Sequence, residues 1–267
     1  MKELVTLWSN TRMVAFTALC AALYAAVLIP FKVGIPLIPG LTEVRPANAL
    51  PIVCSLLFGP AAAWGAAFGN LIADFFGTLT AGSAFGFLGN FLYGYIPYRA
   101  WRALARRGRG SEPEVSSRRW LRRVLLVSLL ASLTCALIIA WGVHLLGLFP
   151  FGPFAVIISA NNFLVSALLA PPLLLALYPR VRRWGLLYDQ VMREKDLSPG
   201  RFSLLGQGLL WFAVVAGLAL GCFISFGLRG VPMVGKAGEI AALAGGGEIT
   251  LGLLPAIALV LIACALL

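Results

Sequence analysis

The chain is poor in the residues that enzymes rely on most. Among its 267 residues are 10 acidic side chains and a single histidine, His144, and charged residues make up only 12%. One histidine excludes the two-histidine metalloprotease motif and any multi-histidine metal site within one chain. The five cysteines, Cys20, Cys54, Cys135, Cys222 and Cys264, contain no Cys-x-x-Cys pair and all fall in apolar stretches. They read as small hydrophobic residues, not as metal ligands or a disulfide framework. No Gly-x-Ser-x-Gly elbow occurs, and His144 has no serine or cysteine neighbour to mark it as a catalytic base. Residues 230–237 carry the spacing of a phosphate-binding loop through Lys236, but Ala237 lacks the hydroxyl that would ligate magnesium, and no strand precedes it. The chain therefore reads as a non-enzyme with no cofactor and no nucleotide site of its own.

What the chain has instead is apolar surface. Hydrophobic residues make up 60% and mean hydropathy is +0.93, more than one soluble core can hide. A hydrocarbon core about 30 Å thick needs about 20 helical residues to cross. Eight apolar stretches approach that length, at about 11–31, 47–58, 61–76, 84–101, 124–148, 154–178, 204–228 and 249–267. The expected fold class is an all-α integral membrane protein of about eight transmembrane helices. Lys2 precedes the first stretch as in a signal peptide, but no small-residue cleavage site follows, so that stretch reads as a retained helix. Pro171 and Pro172 are expected to kink the sixth.

The net charge of +11 would suggest nucleic acid in a soluble protein. Here it gathers at the ends of the apolar stretches and in two polar linkers, about 102–123 and 179–203. Placing the N-terminus inside puts seventeen of the twenty-one lysines and arginines on the cytoplasmic side, leaving Lys32, Arg45, Arg229 and Lys236 outside. Both termini are then cytoplasmic in a multi-pass prokaryotic plasma-membrane protein, and the arginines face lipid headgroups, with no nucleic-acid partner.

With that orientation every strongly polar residue of the first six stretches, apart from those at the cytoplasmic ends, falls in the outer half. Asn70 and Asp74, four residues apart, share one helix face. Asn90, His144, Asn161 and Asn162 lie near the outer ends of their helices, and Asn48 follows the external segment that holds Glu43 and Arg45. Such groups are costly in a bilayer unless they face one another, water or a ligand. The expectation is a cavity open to the outside, with Trp141 offering a stacking face. Each asparagine alone could merely hydrogen-bond a neighbouring helix, and Asp74 could form a structural pair with Arg45.

The first stretch carries Ala18, Ala22 and Ala26 at four-residue spacing, with Ala15, Ala21 and Ala25 alongside, a small-residue face that admits close helix approach. Gly217 and Gly221 in the seventh stretch also read as a packing pair. Together with the external segment Glu43-Val44-Arg45-Pro46, Phe58-Gly59-Pro60 and the run from Gly69-Asn70 to Asp74, the alanine face resembles the S components of energy-coupling factor (ECF) transporters. The resemblance covers about 11–178. It implies a six-helix substrate-binding membrane domain at 1–178, docking of Ala18, Ala22 and Ala26 onto a membrane coupling subunit served by two ATPases, and a gate at residues 41–46. A vitamin or similar small polar micronutrient is the implied solute, with Glu43, Arg45, Asn48, Asn70, Asp74, Asn90, Trp141, His144, Asn161 and Asn162 as candidate contacts. The chain departs from the family in a basic linker at 179–203 and an additional two-helix segment at 204–267. The alternative is a self-sufficient ion-coupled transporter using Asp74, against which stand the lack of an internal repeat and of ionisable residues in the inner half.

Overall fold

A computed structural model describes residues 2–34, 36–38, 42, 43, 45–107, 116–193, 196, 203–233 and 235–267. Its helices are α1 Glu3–Thr6, α2 Thr11–Gly34, α3 Ala49–Phe58, α4 Pro60–Asp74, α5 Ser83–Arg107, α6 Arg118–Leu145, α7 Phe151–Arg183, α8 Tyr188–Val191, α9 Ser203–Cys222, α10 Ala237–Ala241, α11 Gly247–Gly252 and α12 Leu254–Leu266. One departure from an all-helical chain is a short antiparallel ladder after α2, β1 Pro36–Ile38 against β2 Thr42–Glu43. Five stretches are long and apolar enough to cross a bilayer: Thr11–Phe31, Arg118–Leu145, Phe151–Val191, Ser203–Leu228 and Gly247–Leu266. The protein is an integral membrane protein built on helices.

The second and third expected stretches are real helices but short. α3 has 10 residues and α4 has 15, about 15 and 22 Å of rise against the 30 Å of a hydrocarbon core. Gly59 breaks them apart with φ 54° and ψ −122°, and Pro60 opens α4 at a position where its missing N–H costs nothing. A Cβ on Gly59 would lie 2.6 Å from the Tyr188 ring, so α8 packs directly on this turn. The N-terminal residues cover the same end: the Trp64 indole N–H donates to the Leu4 carbonyl at 3.0 Å, and Glu3 is buried with Arg99 at 2.8 Å. α1 was not legible from hydropathy, because Glu3 enters the interior only as half of an ion pair.

α2 and α4 are in intimate contact. A Cβ on Gly65 would meet Cys20 Cβ at 2.4 Å, and one on Gly69 would meet the Ala21 carbonyl oxygen at 2.8 Å. This Gly-x-x-x-Gly pair splits the alanines of α2 between two faces. Ala21 and Ala25 are buried towards the bundle, whereas Ala18, Ala22 and Ala26 are exposed.

Farther along, Ser117 caps α6 by accepting from the Trp120 backbone N–H at 3.1 Å. α7 runs unbroken through Pro171, Pro172 and Pro179. The seventh expected helix ends in a π-helical turn, Phe223–Leu228, and the eighth divides at Leu253 into α11 and α12. The C-terminal helices pack on α5, α6 and α7. Gly217 lies against Leu137 and Ala256, Gly221 against Phe151, and the Tyr95 hydroxyl donates to the Cys264 carbonyl at 3.1 Å. None of these contacts uses Ala18, Ala22 or Ala26.

Candidate functional site

A cleft of about 570 Å³, including the part open to solvent, lies between the ends of α4, α5, α6 and α7 farthest from the arginine clusters. Its polar lining is Arg45, Asn70, Asp74, Thr78, Thr80, Ser83, Asn90, Asn161 and Asn162, and its apolar wall includes Ile139, Val143, Phe154 and Ile158. A second cleft at the opposite end is lined by Trp101 of α5, Trp120 of α6 and Tyr178 of α7. Asn90, Ile139 with Val143, and Phe154 with Asn162 lie at the first end of these same helices. α5, α6 and α7 therefore alternate in direction.

The spacing of Asn70 and Asp74 brings them together as expected. Asn70 Nδ2 donates to Asp74 Oδ2 at 3.2 Å, and the Thr78 hydroxyl donates to Asp74 Oδ1 at 3.1 Å. Arg45 Nη1 donates to Asn70 Oδ1 at 3.1 Å, so Asn70 stands between the guanidinium and the carboxylate. The Arg45 backbone N–H points to Asn161 Oδ1 at 3.4 Å, which fixes the chain following β2 against α7. Gly86 completes this wall: a Cβ there would lie 3.2 Å from Asn70 Nδ2 and 3.7 Å from Asp74 Oδ2.

Behind the cleft lies a second layer. Asn48 is buried, and its Nδ2 donates to Asn162 Oδ1 at 2.6 Å. The Tyr24 hydroxyl lies 3.0 Å from both Asn48 Oδ1 and Asn90 Oδ1, and its one proton serves one of them at a time. The Tyr93 hydroxyl lies 3.0 Å from the Asn48 carbonyl and 3.2 Å from that of Asn162. Asn90 Nδ2 donates to the Gly86 carbonyl. Amides from three segments, the turn at Asn48, α5 and α7, are thus held by two tyrosine hydroxyls, which fixes Asn90 and Asn162 at the edge of the cleft.

Arg45, Asn70, Asp74, Asn90, Asn161 and Asn162 line the cleft, whereas Asn48 supports it from behind. Trp141 and His144 are not brought to it. The Trp141 indole N–H donates to the Thr250 carbonyl at 3.1 Å, and His144 Nε2 lies 3.5 Å from Arg229 Nη1, whose other partner is the Gly245 carbonyl. Both residues tie the C-terminal helices to α6. Among the described residues the aromatic ring lining the cleft is Phe154, so the stacking face expected of Trp141 falls to that residue. Leu41 and Val44 of the expected gate, and the side chain of Glu43, lie outside the described residues. Sequence reasoning missed Tyr24 and Tyr93, whose hydroxyls need partners when buried, and it missed Thr78, Thr80, Ser83, Gly86 and Phe154. α2 reaches the supporting layer of the cleft through Tyr24.

No curated protein and no solved structure matches the chain. A family model described as QueT transporter matches residues 14–179, a span that contains every residue lining the cleft. That match covers well over half of the sequence, and it agrees with an integral membrane protein whose polar side chains converge between helices. The chain belongs to the QueT transporter family, whose members are substrate-specific S components of ECF transporters.

Proposed function

We propose that the protein captures a small polar heterocycle from outside the cell and passes it inward with the help of a membrane coupling subunit and separate ATPases. The observation that carries this reading is the convergence of Arg45, Asn70, Asp74, Asn90, Asn161 and Asn162 on one cleft beside the Phe154 ring. The QueT family is associated with queuosine precursors, which are guanine-like bases. A carboxylate such as Asp74 can accept from the adjacent N–H donors on one edge of such a base, while asparagine amides and Arg45 meet its carbonyl and ring-nitrogen acceptors. Phe154 supplies an apolar face for the ring. Opposite charges in one cleft also suit a solute that carries its own amine.

Docking falls on Ala18, Ala22 and Ala26. They are exposed on α2 and remain uncovered by the additional C-terminal helices, so the extra segment leaves this face open to a coupling subunit. The 17-to-4 distribution of lysine and arginine supports a cleft on the outer side of the membrane.

Calorimetric titration of the purified protein with a queuosine precursor tests the reading. Saturable binding is expected, weakened at least about tenfold, or 1.4 kcal/mol, in Asp74→Ala and in Arg45→Ala. Absence of binding, or unchanged affinity in both variants, would overturn it.

A further inference from the structure

A second cleft, of about 410 Å³ including its open part, lies at the arginine-rich end, far from the solute cleft. Trp101, Trp120, Tyr178 and Tyr188 line it with three leucines, and among the described lining residues Asp189 is the one charged at neutral pH. The surroundings make that choice of charge informative. Arg118, Arg119, Arg122 and Arg123 flank Trp120 in sequence, and Arg180, Arg182 and Arg183 follow Tyr178, yet among the described residues no arginine or lysine lines the cleft. Among the described residues Asp189 makes no ion pair.

Two of the four rings are held in place. Trp120 and Tyr188 are buried, and Trp120 is fixed at the capped first turn of α6. Tyr188 packs so closely on Gly59 that a Cβ there would collide with it, and its ring meets that of Tyr98 edge-on at 5.8 Å. Rigid aromatic faces with a carboxylate at the rim attract cations that are weakly hydrated, and a site of this kind needs little reorganisation to bind one. An anion would meet Asp189 and the negative faces of four rings.

The geometry points to this cleft as a binding site for an organic ammonium group, seated among Trp101, Trp120, Tyr178 and Tyr188 with Asp189 as its counter-ion. The group has two sources, the headgroup of an aminophospholipid or phosphatidylcholine and a free soluble amine. The site is independent of the solute cleft, and nothing in its recognition depends on which heterocycle that cleft takes.

Choline is a suitable soluble probe because its quaternary ammonium is the weakly hydrated cation that aromatic faces attract. Equilibrium dialysis of labelled choline against the purified full-length chain is expected to give one saturable site. Asp189→Asn, an exposed position that leaves the fold intact, and Trp120→Phe, which keeps a smaller ring, should weaken it at least fivefold and about twofold respectively. Native mass spectrometry from nanodiscs of mixed phosphatidylethanolamine and phosphatidylglycerol separates the sources. One phosphatidylethanolamine retained by the wild type, displaced by choline and lost in Asp189→Asn, identifies a lipid headgroup. Choline binding without such retention identifies a free amine. If neither choline nor phosphatidylethanolamine binds, or if both bind equally to Asp189→Asn, the assignment is wrong. Unchanged binding of the queuosine precursor in Asp189→Asn would keep the two sites distinct.

Discussion

Asn48 shows how the cleft is held at the level of single side chains. It is buried, does not line the cleft, and yet is touched by Tyr24, Tyr93 and Asn162. Hydrogen bonds between helices in a membrane average under about 1 kcal/mol, because unfolded helices also find partners there. Replacing Asn48 by alanine removes two such bonds and leaves Asn162 without its donor, so a loss of about 1–3 kcal/mol is expected. A lowered midpoint of thermal unfolding in detergent would report it. Asn161 lines the cleft from the next position in α7, and its Oδ1 faces the Arg45 backbone N–H rather than the buried tyrosine layer. Asn161→Ala is therefore expected to weaken solute binding while moving the unfolding midpoint less than Asn48→Ala does. Equal destabilisation by both would mean that the two layers are one. These roles were only half legible in the sequence. The four-residue spacing of Asn70 and Asp74 fixed their common face, and the depth of each asparagine suggested convergence. Which amide contacts solute and which one supports it depends on rotation about each helix axis, and Gly86 and Phe154 give no polar signal at all.

The pairing of α2 with α4 gives the same helix two different faces, and the difference is open to test. Gly65 and Gly69 admit the α2 backbone so closely that even a methyl group would collide with Cys20 or with the Ala21 carbonyl. Gly69→Leu should push the helices apart and prevent folding, seen as loss of monodisperse protein on size-exclusion chromatography. Ala22, one residue along from the buried Ala21, is exposed. Ala22→Trp should fold and bind solute with unchanged affinity, yet lose copurification with the coupling subunit and ATPases and with it uptake in cells. Loss of solute binding in that variant would instead make this face a packing surface within the protein. The sequence announced a small-residue face on α2 but could not divide it, because Ala15 to Ala26 offers alanine on several sides and the deciding residues are glycines on another helix. Element lengths were legible for the long apolar runs. They were not legible for α1 or for the β1–β2 ladder, whose few residues carry no period long enough to read.

The whole molecule has two ends of different chemistry, and their assignment to the two sides of the membrane rests on charge. The described arginines beyond Arg45 and Arg229 fall at the ends of α5, α6 and α7 near α8, just after α8 or at the start of α2, while the solute cleft opens at the other end. The C-terminal helices keep this polarity. α9 begins near the basic end and the segment joining it to α11 reaches the opposite end, where Arg229 meets His144. Basic residues in short segments resist translocation, which predicts Asp189 in the cytoplasm and Glu239 outside. All five native cysteines can be replaced by alanine without introducing charge, and four of them are buried. Single cysteines at Asp189 and at the exposed Glu239 then give opposite forecasts with an impermeant thiol reagent on intact cells. The Glu239→Cys variant should label and the Asp189→Cys variant should resist until the membrane is opened. The reverse pattern would place the solute cleft in the cytoplasm and turn the proposed importer around. Labelling at both positions would break the continuity of α9 with the bundle, because the two sites are separated by one crossing of the chain.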